Sequence, residues 1–391
     1  MLSLQTMPFR VRLTSVVAVA ALLVSTLLTA ALRLTPEGGD LDVFYGYAIK
    51  VVHGAVPYRD FALEYPPGAL AAIVTPALGS PDESTFAVRF SLAMLCLFVV
   101  AILLLARRPR AAFVVALAPL LLGPLVLKRF DIFPAVLTLV ALQLTLSRRY
   151  TWAGAALGIG TAVKLYPVLL LPLVAIAAGR RAGARAVAGF AVACAAVVLP
   201  FFVLAPHGLV ASVHSQVGRH LQIETPLASV ALLAHSLGLI SIGVVSEAHT
   251  YGLGGASGFV LAVLTTLLFV GSLALIWRRA PKLVRSRDGL VLTWAATLCV
   301  AVVVGRVLSP QYLIWLLPFV PLVGLGVTLL LVAALVLTNV WYPVPYLDVV
   351  LHMNRGDIVL LVVRNATLIA LLAVLLAKIE PRLQRLRPAR R

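Results

Sequence analysis

LTSVVAVAALLVSTLLTAAL, Leu13 to Leu32, holds no charged residue and is closed at each end by arginine, Arg12 and Arg33. At about 1.5 Å per residue this run makes a helix of roughly 30 Å, the thickness of a bilayer's hydrocarbon core. It comes after Arg10 and Arg12 as a secretory signal core would, but it is long for one. The remainder of the chain is just as apolar, so the run reads as an uncleaved first span.

Outward from that run the composition keeps the same character. Of 391 residues, 62% are hydrophobic and 12% charged, and the mean hydropathy is +1.05. A soluble domain carries about 25% charged residues, so this chain lacks the polar surface that water requires. The expected fold is an all-α integral membrane protein, a polytopic bundle of about 12 transmembrane helices. The candidate spans are 13–33, 88–106, 111–127, 131–147, 151–164, 165–178, 186–204, 256–277, 290–305, 311–323, 325–341 and 357–377. The whole chain reads as a single transmembrane domain, with a first external loop at 34–87 and a second at 205–255 that carry short helices. The apolar stretch 227–243 is placed as a half-buried helix in the second loop.

Charge orients this threading. Of the 32 Lys and Arg residues, 21 fall in the alternate short loops and the termini: Arg10/Arg12, Arg107–Arg110, Arg148/Arg149, Arg180–Arg185, Arg278–Arg287 and the tail from Lys378. The positive-inside rule makes that side, with both termini, cytoplasmic. Of the 14 acids only Asp288 and Glu380 share it. The net charge of +18 is therefore loop anchoring and no sign of a nucleic-acid partner. The Arg excess over Lys hints at a GC-rich bacterium, and the bacterial inner membrane is the expected location. Cys96, Cys194 and Cys299 lie inside apolar runs and read as buried apolar side chains. The chain has no Walker A, GxGxxG, HExxH or GxSxG motif. No metal site or cofactor is expected, and a divalent-cation requirement stays open.

The polar residues concentrate on the acid-rich side. Gly38 to Pro67, GGDLDVFYGYAIKVVHGAVPYRDFALEYPP, packs Asp40, Asp42, Asp60, Glu64, Arg59, Lys50, His53 and four tyrosines into one loop. Gly38–Gly39 is a flexible lead-in, and Asp40 is a candidate N-cap for a short helix from about Val43 to Val52. Pro57 and Pro66–Pro67 impose rigid turns. Four further clusters fall on this side: KRFD (128–131), KLYP (164–167), GRHLQIET (218–225) and GRVLSPQY (305–312). Their cations read either as interfacial snorkels or, opposite a carboxylate-rich loop, as partners for a lipid phosphate. Arg364, inside the last span, should face the bundle interior as a structural pair or a substrate contact. The tripeptide Asn365-Ala366-Thr367 lies in the same span and carries no meaning as a glycosylation acceptor.

The series D-L-D-V-F-Y (40–45), G-x-x-P-Y-R-D-F-x-x-E-Y-P-P (54–67), R-F-D-x-x-P (129–134), K-L-Y-P (164–167), R-H-L-Q-I-E-T (219–225) and S-P-Q-Y-L-I-W (309–315) resembles glycosyltransferase family 87 from Gly38 to about Pro318. These GT-C-type membrane enzymes include polyprenol-phosphate-mannose-dependent mannosyltransferases of actinobacterial envelopes. The resemblance implies a polyprenyl-phosphate sugar as donor, with mannose or arabinose as the family-typical sugars. It also implies a lipid or glycan acceptor on the extracytoplasmic face, and an acid early in the first loop as general base. The family's carboxylate, followed by an aromatic four residues on, falls at Asp40 with Phe44; Asp42 is the close rival.

The chemistry agrees, since transfer needs a base for the acceptor hydroxyl and cations for the departing phosphate. One carboxylate suffices for an inverting displacement. Asp40 is assigned as base, with Asp42 kept beside it as the second catalytic candidate. Arg129, Lys164, Arg219 and Arg306 are assigned to the donor phosphate. Arg59, Glu64, Asp131, Tyr166, Gln222, Glu224, Gln311 and Tyr312, with Asp42 in its other role, are candidates for sugar or acceptor hydroxyls. A transporter or flippase of lipid-linked sugars is the rival class, although carriers usually hold relay acids mid-membrane.

Overall fold

In the computed structural model of the chain, residues 8–32, 40–247 and 250–379 are described. The Gly38–Gly39 lead-in and the basic tail from Glu380 fall outside them. The contacts gather into two compact units: 1–216 with 317–322, and 217–316 with 323–391.

The first unit opens with helix α1 (Phe9–Leu32) and the short helix α2 (Leu41–Val52), which begins two residues before the expected Val43. Asp40 stands at the N-cap of α2, but its side chain caps no backbone N–H. The capping expectation fails because φ −71° and ψ 2° at Asp40 are not the extended conformation that aims a cap side chain back at the first turn. Asp82, which is extended (φ −67°, ψ 167°), does cap α3 (Glu83–Leu104), accepting from the Thr85 N–H at 2.7 Å.

The expected span 111–127 is three pieces instead, Pro109–Ala116, Ala118–Leu122 and Leu125–Lys128. Pro119 withholds a helix donor, and Gly123 turns the chain at φ 78°. Helices α4 (Ile132–Leu146) and α5 (Tyr150–Val163) come next. The chain then passes through a 3₁₀ turn, Tyr166–Leu170, into α6 (Leu171–Leu204), which bends at Gly179 (φ 73°). Helices α5 and α6 pack backbone to backbone because Gly154 and Gly158 carry no Cβ. A methyl there would strike the carbonyls of Ala186 and Phe190.

The second unit contains a small antiparallel sheet that the all-α expectation lacked. Its strands are β1 (Leu221–Gln222), β2 (Gly243–Glu247) and β3 (Thr250–Gly254), in the order β1-β3-β2. Between β1 and β2 lies helix α7 (Pro226–Ser236), the loop helix expected within 227–243, with Ala228, Ser229, Ala231 and Leu232 buried. Strand β3 leads into α8 (Gly255–Leu283), and α9 (Arg287–Val303) succeeds it. After the 3₁₀ turn Pro310–Leu316 come α10 (Leu325–Trp341), α11 (Val344–His352) and α12 (Arg355–Ala377).

Among the described residues, five helices are long and apolar enough to cross a membrane: α1, α3, Tyr166–Leu204, α8 and α12. The pair α10 and α11, bent by 59°, adds a sixth if it forms one span. The expected twelve are not reached. Helices α4 and α5 have 15 and 14 residues, short of the roughly 20 a bilayer requires. The stretch 311–323 is a 3₁₀ turn and the four-residue helix Val320–Val323. The cysteines are free, as expected, but only Cys299 is buried; Cys96 lies on the exposed, lipid-compatible face of α3.

Candidate functional site

In the first unit the polar residues meet on an aromatic floor. Phe44, one turn into α2, is fully buried, and its ring lies 5.5 Å from Phe90, 5.5 Å from Phe130 and 5.6 Å from Tyr65. Tyr65 and Phe130 meet edge to face at 5.1 Å. These contacts pin α2 to α3 and to the KRFD segment, since such ring pairs favour offset and edge-on geometries.

Arg129 leaves the helix Leu125–Lys128 in an extended conformation (φ −130°, ψ 143°). Its guanidinium forms an ion pair with the Asp40 carboxylate, which also accepts from the Tyr65 hydroxyl at 3.4 Å. The two partners are unequal in access: the Asp40 side chain is 28% exposed and that of Arg129 9%. The carboxylate is reachable while its cation is backed by protein.

A second ion pair lies beside the first. Lys164 ends α5 in an extended conformation (φ −155°, ψ 138°), where the helix breaks ahead of Pro167. Its ammonium binds the Asp131 carboxylate at 2.6 Å and sits 5.4 Å over the Phe130 ring. Asp131 is buried, and so is Tyr166. The aromatic floor therefore carries, among the described residues, a sealed carboxylate–cation pair beside an open one.

The other loop candidates are placed differently. Arg59 is exposed and paired with Asp60, Nε to Oδ1 at 2.9 Å. That hydrogen bond, together with the Val56 N–H at 2.7 Å, holds the Asp60 carboxyl down at about 2. Glu64 offers its backbone carbonyl to the Gln216 side chain at 2.8 Å. Burial, with the nearby Glu64 charge, raises the Tyr47 hydroxyl above its ordinary value. Asp42, exposed on α2, lies about 200° around the helix from Asp40. The two acids thus point apart, as an extended strand would also have had them.

In the second unit the RHLQIET segment forms its own cluster. The Gln222 side chain donates to Glu224 Oε2 at 2.9 Å, and its backbone N–H donates to the Arg306 carbonyl at 3.0 Å. Arg364, fully buried in α12, lies 4.0 Å from the Glu224 carboxylate, donates to its carbonyl at 3.3 Å and stacks over Trp341 at 5.3 Å. Arg364 thus faces the interior of its unit, as expected, with Glu224 as its partner. Asn365, given no part by the sequence reading, donates to the Glu224 carbonyl at 3.1 Å and to Ser229 Oγ at 2.9 Å. Arg219 is half-buried just ahead of β1. Arg306, Gln311 and Tyr312 are half-buried around the 3₁₀ turn, where Tyr312 stacks on Trp315 at 4.1 Å. Among the described residues no group of three or more His, Cys, Asp or Glu side chains could hold a metal ion.

A mostly helical chain with several membrane-length helices, carrying ion-paired carboxylates beside an aromatic floor, is a membrane protein with the parts of an enzyme site. It belongs to glycosyltransferase family 87, which it matches over residues 63–310. That makes it a membrane glycosyltransferase. No curated protein matches the chain. The matched segment takes in Arg129, Asp131, Lys164 and the 219–225 cluster, but it begins after Asp40 and Asp42.

The sealed pair makes a stability prediction. Lys164→Met leaves the Asp131 carboxylate buried without the ammonium and should cost about 3–5 kcal/mol. Replacing both residues, Asp131→Leu with Lys164→Met, should recover most of that loss. Thermal unfolding of the purified protein checks both; a double variant no more stable than the single one would contradict the pairing.

Proposed function

We propose that this glycosyltransferase moves a sugar, mannose or arabinose, from a polyprenyl phosphate to a lipid or glycan acceptor on the extracytoplasmic face. Asp40 is the base, and the observation that carries this reading is its pairing. Of the two carboxylates on the aromatic floor, Asp131 is sealed with Lys164, whereas Asp40 is open to an approaching hydroxyl. Only one carboxylate is then available, which suits a single inverting displacement.

In the reaction, an acceptor hydroxyl oxygen attacks the anomeric carbon as the bond from that carbon to the phosphate oxygen breaks. The hydroxyl proton passes to Asp40, and the sugar's leaving electron pair stays on the polyprenyl phosphate. Arg129, the cation paired with Asp40, is assigned to that phosphate. A guanidinium forks onto phosphate oxygens as readily as onto a carboxylate, so donor binding draws Arg129 away from Asp40 and restores its basicity. Lys164 adds positive charge on the same floor. Asp42, Arg59 and Glu64, in the same unit as Asp40, remain assigned to sugar or acceptor hydroxyls. The scheme draws its cations from the chain itself and calls for no cofactor.

Losing a positioned base typically costs about 10²–10⁴-fold in rate. Asp40→Asn should therefore fold and bind donor normally yet transfer sugar at that reduced rate, in an assay that supplies polyprenyl-phosphate mannose to the purified protein. Nucleotide sugars should not be used. Near-normal turnover by Asp40→Asn with a dead Asp42→Asn would move the base by two residues, and efficient use of a nucleotide sugar would overturn the donor.

The orientation of the site rests on charge, since the basic loops lie opposite the acid-rich ones. Both termini and the Arg278–Arg287 loop are placed in the cytoplasm of a bacterial inner membrane. Cysteines replacing the exposed His53 and Ser286 check this with an impermeant thiol reagent on intact cells. His53→Cys should label and Ser286→Cys should not; the reverse pattern would invert the topology.

A further inference from the structure

We propose that a cavity between α1, α2 and α3 binds the acceptor as a lipid with a neutral, hydroxyl-rich headgroup. The proposal rests on the glycosyltransferase reading and extends it to the second substrate. The cavity has a volume of about 740 Å³ and lies wholly within the first unit, in the range of about 300–1,000 Å³ typical of small-molecule sites.

Its two ends differ in chemistry. The mouth carries Asp42, Glu83, Ser84 and Lys128. Further along α3 the lining is Ala87, Val88, Ser91, Leu92 and Leu95, with Thr26 of α1, Leu41 of α2 and Leu127 completing a mainly apolar wall. Helix α3 is one of those long and apolar enough to cross a membrane. From Glu83 to Leu95 it descends about 18 Å, so the wall faces hydrocarbon while the mouth stands at the interface. A ligand matching both ends is amphipathic, with a chain along α3 and a polar head at the mouth.

The charges at the mouth select the head. Two carboxylates against one ammonium disfavour a phosphate, which belongs instead with Arg129 and Lys164. A cationic head would satisfy the carboxylates but be repelled by Lys128. A polyol both donates and accepts: its hydroxyls donate to Asp42 and Glu83 and accept from Lys128. Position supports the acceptor role. Helix α2 carries Asp42 at the mouth and Asp40 on its opposite face, and Lys128 is next to Arg129, so a head at this mouth is separated from the proposed base by the width of α2. The aromatic floor and the cavity are thus two compartments that share α2 and the Lys128–Arg129 step.

Photolabelling of the purified full chain in phosphatidylcholine nanodiscs tests this. Three diazirine-tailed probes are compared: a dialkylglycerol glucoside, a polyprenyl phosphate and phosphatidylcholine. The glucoside should label α3 within Glu83–Leu104 well above phosphatidylcholine. Asp42→Asn with Glu83→Gln should lower that labelling about tenfold, as expected for losing a hydrogen bond to a charged group. Leu92→Trp or Val88→Trp should abolish it; these side chains are 54% and 60% exposed, so either bulky replacement is compatible with folding, checked by thermal unfolding. The polyprenyl phosphate should be indifferent to both tryptophans. Glucoside labelling no stronger than that of phosphatidylcholine would overturn the proposal. Polyprenyl-phosphate labelling of α3 that Leu92→Trp removes would give the cavity to the donor and overturn it equally. The readout is binding, so labelling should persist in Asp40→Asn. If that variant still turned over, the base assignment would fall while the cavity stood.

Discussion

A carboxylate and a guanidinium facing each other on an aromatic floor give up much of their hydration, and their attraction repays this only when the geometry is held. The Asp40–Arg129 pair meets that condition because neither partner sits on a free loop. Asp40 is fixed by α2, which Phe44 locks against Phe90 and Phe130. Arg129 is fixed by its position between two helices, next to the Phe130 ring itself. The same three residues, Arg129, Phe130 and Asp131, thus hold the open pair, the floor and the sealed pair in place.

That arrangement gives the two pairs different work. Asp131 and Lys164 are covered, and their mutual attraction is strengthened by the low dielectric around them. Asp40 keeps a solvent-accessible edge, so its partner can be exchanged. In the proposed mechanism the donor phosphate takes the guanidinium of Arg129 and so frees the Asp40 carboxylate for the acceptor hydroxyl. The cavity on the other face of α2 completes the logic by giving the acceptor a separate place to wait.

Much of this is legible in the sequence because the polar residues of an apolar chain are few and each has to be accounted for. Six short motifs point to the family. KLYP reads as a helix break and is one, with Lys164 extended after Val163. The helix expected at 43–52 is present to within two residues. The number of spans is not legible, because apolar runs interrupted by Pro119, Gly123 or Pro310 resemble spans in hydropathy while their backbone is short and broken. The sheet escapes notice since its strands are two to five residues long and rich in glycine. Partnerships are the least visible. Nothing in the spacing joins Asp40 to Arg129, Tyr65 to Asp40 or Glu224 to Arg364 and Asn365, because each contact spans between 25 and 141 positions of chain.

The claim on which the rest depends is that Asp40 and Arg129 work as one unit. A double-mutant cycle on single-turnover transfer from a polyprenyl-phosphate sugar measures this directly, using Asp40→Asn, Arg129→Gln and the two combined. Groups that act together give strongly non-additive losses. The double variant should be about as slow as the slower single one. Losses that simply multiply would show that the two side chains act independently and would contradict it.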